Sequence, residues 1–580
     1  MLDPTPIARR FHSSSLAATL LGSAAYYFWP VQGTHIGFTA VAYAAAFLSI
    51  VKLIHAISAG LQLLFHRGLK KRAKKAAQMH HPARWASDNE LKEAGMFNPN
   101  GRPLGETFSG FPIFEPSMSV HSKIVAPPGL WKTIAAITTA IMHLVHTKRG
   151  KEELPPSLII PDVKGELAAM CASSLRAMGF EVWILNDTIH LGLQGVDLNP
   201  FALLVEAHGS DDPRKRARAG VIARILAMTI HPEPKDGDAK NRFWRAGTRD
   251  CLAAAMFCLL ANKKLTPTFL WSLLSDPSAF VRALKKLADL DEMTQPGVLL
   301  ARSLLETHVE EPQHFSDFRS SAAQNLESFE TTGMLAHVGL SSSLVGPKSS
   351  LSHSAIRKKQ VIVFMVSPLA YSDELALLQK LHLQSFMMSL KEYPGGQPVE
   401  FILDEACNAK AALSNLIDDL TLIRGLSARV HLVAQAESQI ATTWGRDAAK
   451  TLDAVTDLKQ IMGTNSAEEA QTLSKALAMG VIDFEELSFS TKSEDVTLRA
   501  DRTGRPLMTP DEILSMPRDE QIILVNGLRP IHARKLTYAR YDPICHQVDD
   551  NPVEGSKLKP NPKVFLKYPK AQFKNSQRKE

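Results

Sequence analysis

Residues 124–133 read Ile-Val-Ala-Pro-Pro-Gly-Leu-Trp-Lys-Thr, and the reading of the rest of the chain is organised around them. An apolar run ends in a Pro-Gly turn, a Lys-Thr pair follows, and an Ile/Ala/Met-rich segment with helical spacing comes next. This is close to a phosphate-binding loop. Such a loop follows a strand, wraps phosphates with backbone N–H groups, sends a lysine to the β/γ-phosphates and sets a Ser/Thr hydroxyl on Mg²⁺. Counted against G-x-x-x-x-G-K-[ST], the nucleotide-binding candidates are Ala126, Pro127, Pro128, Gly129, Leu130, Trp131, Lys132 and Thr133. Two positions depart from the pattern. Ala126 stands at the first glycine, a mild change. Trp131 stands at the glycine before the lysine, where glycine would supply positive φ at no steric cost. Pro127 and Pro128 also withhold two N–H groups. On spacing alone, a degenerate nucleotide loop and an ordinary strand-turn-helix both remain open.

The amino-terminal region has membrane character. Residues 15–31 are apolar and end in Tyr26, Tyr27, Phe28 and Trp29, an aromatic cluster suited to a bilayer interface. After the polar break Gln32–His35, residues 37–51 are apolar again, and the pattern continues past Lys52 to Phe65. Arg9 and Arg10 precede the first run, and Arg67, Lys70, Lys71, Arg72, Lys74 and Lys75 follow the second. Positive charge on both flanks predicts a two-helix hairpin with both ends cytoplasmic. A cleaved signal peptide is the competing reading, although the second run would still need a membrane. Five scattered cysteines without C-x-x-C spacing argue for a reducing compartment and against a zinc site. The net charge of +7 is concentrated in the juxtamembrane segment and in the tail after residue 546. Both could hold phosphates without sequence preference. Pro, Lys and low apolar content make the tail an expected disordered arm.

Between these ends, the pattern is that of an α/β domain. Residues 80–110 read as a polar strap. Residues 158–166 run from an apolar strand into Asp162, Lys164, Gly165 and Glu166, and residues 180–185 form another buried-strand candidate. Strands alternating with helices imply a parallel sheet, whose ligands bind beyond the strands' carboxyl ends. Strand signals fade from 199 to about 351, which suggests an all-helical insert with Phe243 and Trp244 as core residues. They return at 360–366 and at 399–403, the latter ending in Asp404-Glu405. An apolar strand that ends in an acidic pair suits a Walker B role: one carboxylate holds Mg²⁺ through water, and the Glu polarises attacking water. A further strand at 429–434 ends in Gln435, placed to sense a γ-phosphate or orient water. Arg424 precedes that strand and is either a solvated surface residue or a finger for a neighbouring subunit. A helix, a strand and a helix capped at Asn465-Ser466 follow over 452–473, then a closing hairpin at 521–525 and 531–536.

These segments together resemble the TraG/TraD-type coupling proteins of type IV secretion and conjugation systems. The resemblance runs from the hairpin to about Tyr541. It rests on His81–Ala86 (HPARWA), Asp162–Leu167 (DVKGEL), Asn199-Pro200-Phe201, Phe243-Trp244, Leu403-Asp404-Glu405 with Asn408, Arg424-Gly425, Gln435, Trp444-Gly445 and Arg505–Glu512 (RPLMTPDE). Pro82, and Ala406 in place of an aromatic, depart from the family pattern. The resemblance implies a RecA-like P-loop ATPase domain of α/β class, split by an all-α domain and tethered to the bacterial inner membrane. The expected layout is a transmembrane hairpin (1–66), a basic linker (67–115), the nucleotide domain in two parts (116–200 and 356–545), the all-α domain (201–355) and the tail (546–580). It implies a homo-hexameric ring that uses ATP and Mg²⁺ and delivers a relaxase with its single-stranded DNA, or a protein, from the relaxosome to the secretion channel. Roles carry over by position: Lys132 on the phosphates, Thr133 and Asp404 at Mg²⁺, Asp404 and Glu405 as the acidic pair, Gln435 as sensor, Arg424 as arginine finger. A membrane-anchored docking adaptor that does not hydrolyse ATP is the alternative. A chromosome-segregation DNA pump fits less well, since it would call for an intact loop and more membrane helices.

Overall fold

The fold was analysed in a computed structural model that describes Thr19, Ser23, residues 43–61 and residues 83–565, apart from 118–119, 149–152, 234–240, 292–294, 341–350, 408–419, 421–422, 478 and 490–495. Two compact units emerge. One comprises Met1–Arg84 and Gln471–Pro510, the other Trp85–Ala470 and Asp511–Glu580.

The larger unit is built on an eleven-stranded sheet. Its strands in chain order are β1 (Pro103–Glu106), β2 (Pro112–Phe114), β3 (Ser122–Val125), β4 (Ser157–Asp162), β5 (Val182–Leu185), β6 (Ile362–Val366), β7 (Val399–Leu403), β8 (Ala428–Ala434) and β9 (Leu458–Ile461). A hairpin of the smaller unit supplies β10 (Met479–Phe489) and β11 (Val496–Pro506), paired with each other alone. Strands β12 (Glu520–Val525) and β13 (Ile531–Arg534) complete the large sheet, in the order β2-β1-β13-β12-β9-β3-β8-β7-β4-β6-β5. From β9 to β5 every pairing is parallel. These strands read as near-continuous apolar runs, Ile-Val-Phe-Met-Val in β6 for example, because helices cover both faces. Beyond β9 the pairings turn antiparallel.

The parallel sheet, the closing hairpin β12–β13 and the helix capped by Ser466 follow the sequence reading. In the sheet, β6 lies between β4 and β5. Three other expectations need correction. The polar strap is not merely a linker: Ser87 caps a helix at Asp88–Glu93, and β1 and β2 extend the sheet edge. Residues 546–565 are folded rather than a disordered arm. Val548 and Val564 are fully buried, and Val564–Phe565 pairs with Tyr541–Asp542. Averaged composition hides such widely spaced anchors. Finally, Phe243 and Trp244 are not core residues; they stand 54% and 37% exposed against His314 and Phe318, on the first turn of a helix whose buried stripe begins at Thr248.

The first helix of the helical insert is Ala202–His208. Asp212, Thr266 and Asp276 accept backbone N–H groups at helix starts, each followed by proline at the first helical position. Its core is continuous with one stripe of the helix Ser372–Glu392 (Leu375, Leu378, Leu381), while Phe386 and Leu390 of the same helix pack on the sheet. One helix thus ties both layers together.

In the smaller unit, Tyr43–Leu61 forms one helix long and apolar enough to cross a membrane, the single such helix among the described residues. Its Phe47, Leu48, Ile50 and Ile54 are exposed, as a lipid-facing helix requires. The first run of the expected hairpin, the juxtamembrane lysines and the tail from 566 lie outside the described residues.

Candidate active site

Strand β3 delivers the candidate nucleotide loop at its carboxyl end. Gly129 has φ +77°, Trp131 follows at φ 66°, ψ 21°, and a helix then opens with π-type turns over Lys132–Ile137 and continues as Thr138–Leu144. Trp131 therefore holds the left-handed conformation that glycine adopts without strain. Its indole is 39% exposed. The first N–H groups of the helix have no partner one turn back, which favours an anion at this end.

Lys132 is nearly buried, and its Nζ lies 3.2 Å from Glu405 Oε1 and 3.8 Å from Asp404 Oδ1. Those carboxylates come from the end of β7, one strand removed from β3, with β8 between them. Glu405 also has positive φ, 47°, and donates its N–H to Asp404 Oδ1 at 2.9 Å. Burial pushes the Asp404 carboxyl up to about 6; Lys132 opposes this, and Glu405 and Glu166 add to it. Thr133 is buried directly after the lysine. Gln435 ends β8 between the two motifs, half-buried, its N–H donated to Gln439 Oε1.

The turn after β4 adds a second acidic pair. Asp162 accepts the Ala168 N–H at 2.8 Å and is raised to about 7, chiefly by burial and then by Asp404 and Glu166. Glu166 is buried and accepts a hydrogen bond from Asn551 in the carboxyl-terminal segment. Lys164 Nζ lies 3.7 Å from Glu166 and 3.9 Å from Glu554. Burial opposes the Lys164 charge, yet Glu166, Glu405, Glu554 and Asp404 raise it on balance. Lys132 thus faces Asp404 and Glu405, and Lys164 faces Glu166 and Glu554. Hydroxyl and carboxylate oxygens are the donor set that a hard ion such as Mg²⁺ takes, and Lys132 holds positive charge where phosphates would lie.

Arg424 is not part of this cluster. It sits exposed in a short turn before β8, beside Arg429 and Lys148, at the amino ends of β7 and β8. Seven residues of parallel strand separate it from the loop end, roughly 20 Å. Sequence reasoning also passed over a buried polar chain across the sheet: Glu400 to His431, His431 to Ser122, Arg102 to Ser122 and Gln460, and Gln460 to Gln521. Its members sit on strands far apart in sequence, so no local pattern could reveal it.

With this geometry in hand, comparison with known proteins is decisive. The family model for the type IV secretory system conjugative DNA transfer proteins matches residues 72–564. The chain belongs to this family. Among curated relatives, Protein VirD4 of Rhizobium rhizogenes is 22% identical over 481 residues, covering 79% of this chain and 65% of its own. The conjugal transfer protein TraG of Escherichia coli is 22% identical over 540 residues, covering 80% and 77%. The chain therefore spans just under two thirds of the VirD4 relative's length. Among solved structures, the plasmid coupling protein TrwB in complex with the non-hydrolysable GTP analogue GDPNP is 15% identical with a TM-score of 0.52, covering 78% of this chain and 92% of its own. TrwB in complex with ADP and Mg²⁺ is 15% identical with a TM-score of 0.50. At that identity the likeness concerns the α/β fold alone.

Proposed function

We propose that this protein is an inner-membrane coupling protein of a type IV secretion or conjugation system, a motor that recruits a relaxase with its single-stranded DNA, or a protein substrate, to the secretion channel. The observation that carries the reading is Lys132 facing Asp404 and Glu405 across one intervening strand, within a chain of the conjugative DNA transfer family. In this reading ATP is held by residues 126–133, and Mg²⁺ by Thr133 and Asp404. ATP hydrolysis supplies the free energy for substrate delivery. Lys132 orients and neutralises the phosphates, Glu405 orients the attacking water and takes its proton, and Gln435 reads the γ-phosphate. Phosphoryl transfer asks mainly for positioning and charge, and this cluster offers both. The TrwB structures with GDPNP and with ADP and Mg²⁺ support the same use of the site.

Arg424, far from its own loop, would serve a neighbour's nucleotide in a homo-hexameric ring. The Tyr43–Leu61 helix supports a membrane anchor, with a two-helix, multi-pass hairpin and both termini cytoplasmic as the finer form. Relaxosome components, single-stranded DNA and channel proteins are the proposed partners. The test is DNA transfer from donor cells carrying Lys132→Ala in place of the wild-type chain. Loss of transfer with normal membrane levels supports the motor. Transfer at the wild-type frequency would make the protein a docking adaptor.

A further inference from the structure

The nucleotide loop is pinned from a direction that its own motif does not reveal. Lys535 follows β13, and its side chain is almost fully enclosed. Its Nζ lies 3.2 Å from the Leu130 carbonyl oxygen in the loop, 2.7 Å from that of Met462 after β9, and 2.7 Å from that of Arg518 before β12. An ammonium has three donors, and all three go to backbone carbonyls, none to a carboxylate. Keeping a buried cation without a hydrogen-bonded anion is costly, so its geometry needs a reason. Burial lowers the Lys535 amine to about 8, and Asp519 partly offsets this. The seat is close on the other side too: a methyl group added to Gly463 would meet Leu130 Cδ1 at 2.6 Å.

The Leu130–Trp131 peptide is where this loop departs from the usual pattern. In a trans peptide the C=O and N–H point in opposite directions. A cation that draws the Leu130 oxygen toward β9 and β12 turns the Trp131 N–H to the opposite face of the loop. It also favours the left-handed φ of Trp131, which glycine would adopt unaided. We propose that Lys535 is a positioning residue for the nucleotide: its ammonium locks the Leu130–Trp131 peptide so that the loop presents the Trp131 N–H to the bound phosphates in spite of the tryptophan. This rests on the nucleotide-binding reading above and assigns part of that site to a residue some 400 positions downstream.

The experiment measures binding of a fluorescent ADP with Mg²⁺ to the full-length protein in detergent, for wild type, Lys535→Met, Trp131→Gly and the double variant. Lys535→Met is expected to weaken binding about tenfold or more, as loss of a charged hydrogen bond that holds the loop would. In the Trp131→Gly background the same change should cost less than about threefold, because glycine no longer needs the lock. A purely structural lysine would weaken both backgrounds equally, and that result overturns the proposal, as does binding by Lys535→Met within about twofold of wild type. If Lys535→Met does not fold, Lys535→Gln replaces it under the same criteria, the glutamine keeping donors for two of the carbonyls. A wild-type chain that binds no nucleotide refutes the underlying reading as well, so the two failures are told apart by the wild type alone.

Discussion

Glu405→Gln should separate nucleotide binding from hydrolysis, and in this protein it should also tighten binding. Lys132 is held by Glu405 at 3.2 Å and approached by Asp404 at 3.8 Å. A phosphate must displace this pair before it can use the lysine. At 3.2 Å and an effective dielectric of about 20, the gross attraction is about 5 kcal/mol. Desolvation cancels most of it, leaving a net of about 1.5–3 kcal/mol for a hydrogen bond between charged groups. Glutamine keeps an acceptor for the lysine, so about half of that is released, or roughly four- to tenfold in affinity. Turnover should fall by about 10²–10⁴, the usual worth of a general base. Titration with a fluorescent ATP analogue gives the first quantity and phosphate release the second. Weaker ATP binding by the variant would refute the competition between Glu405 and phosphate, and unchanged turnover would refute Glu405 as the base.

Three further outcomes follow from the same geometry. Trp131→Gly removes a left-handed strain of about 1–2 kcal/mol and the crowding indole, so nucleotide affinity should rise; equal affinity in the titration would show that the indole stands clear of the phosphates. Asp162 and Asp404 titrate near 7 and 6 in the fold, above their ordinary value. The folded chain therefore keeps protons that the unfolded chain releases, and the melting midpoint without nucleotide should fall as pH rises from about 5 to about 7.5, while Mg²⁺-nucleotide affinity should rise over the same window as Asp404 ionises. Ending the chain at residue 545 exposes the apolar surface that Val548 and Val564 cover and should lower the melting midpoint, each side chain being worth about 1.5–3 kcal/mol.

The parts of the site legible in the sequence are those encoded locally. Lys132 and Thr133 after an apolar strand, Asp404-Glu405 at the end of another and Gln435 at the end of a third were each visible as a run followed by a polar residue. The parallel sheet then brings them to one edge, because every such strand ends on the same side. The turn Asp162–Glu166 was visible for the same reason. What stayed hidden depends on chain segments far apart. Lys535 meets Leu130 only after β12 and β13 have joined the sheet beside β9. Asn551 reaches Glu166 from a stretch whose lysines and prolines suggested disorder. The edge strands β1 and β2 are short and lie in polar surroundings, so periodicity gave no sign of them. Phe243 and Trp244 share the apolar character of their helix but sit one turn before its buried stripe. Trp131 departs from the motif, yet its backbone takes the left-handed conformation that glycine adopts without strain.

Steady-state ATP hydrolysis by the full-length protein, measured with and without single-stranded DNA beside Lys132→Ala, tests the central claim most directly. The account predicts turnover that DNA stimulates and that the variant loses. Absence of turnover in the wild type under both conditions, or equal turnover in the variant, would contradict it.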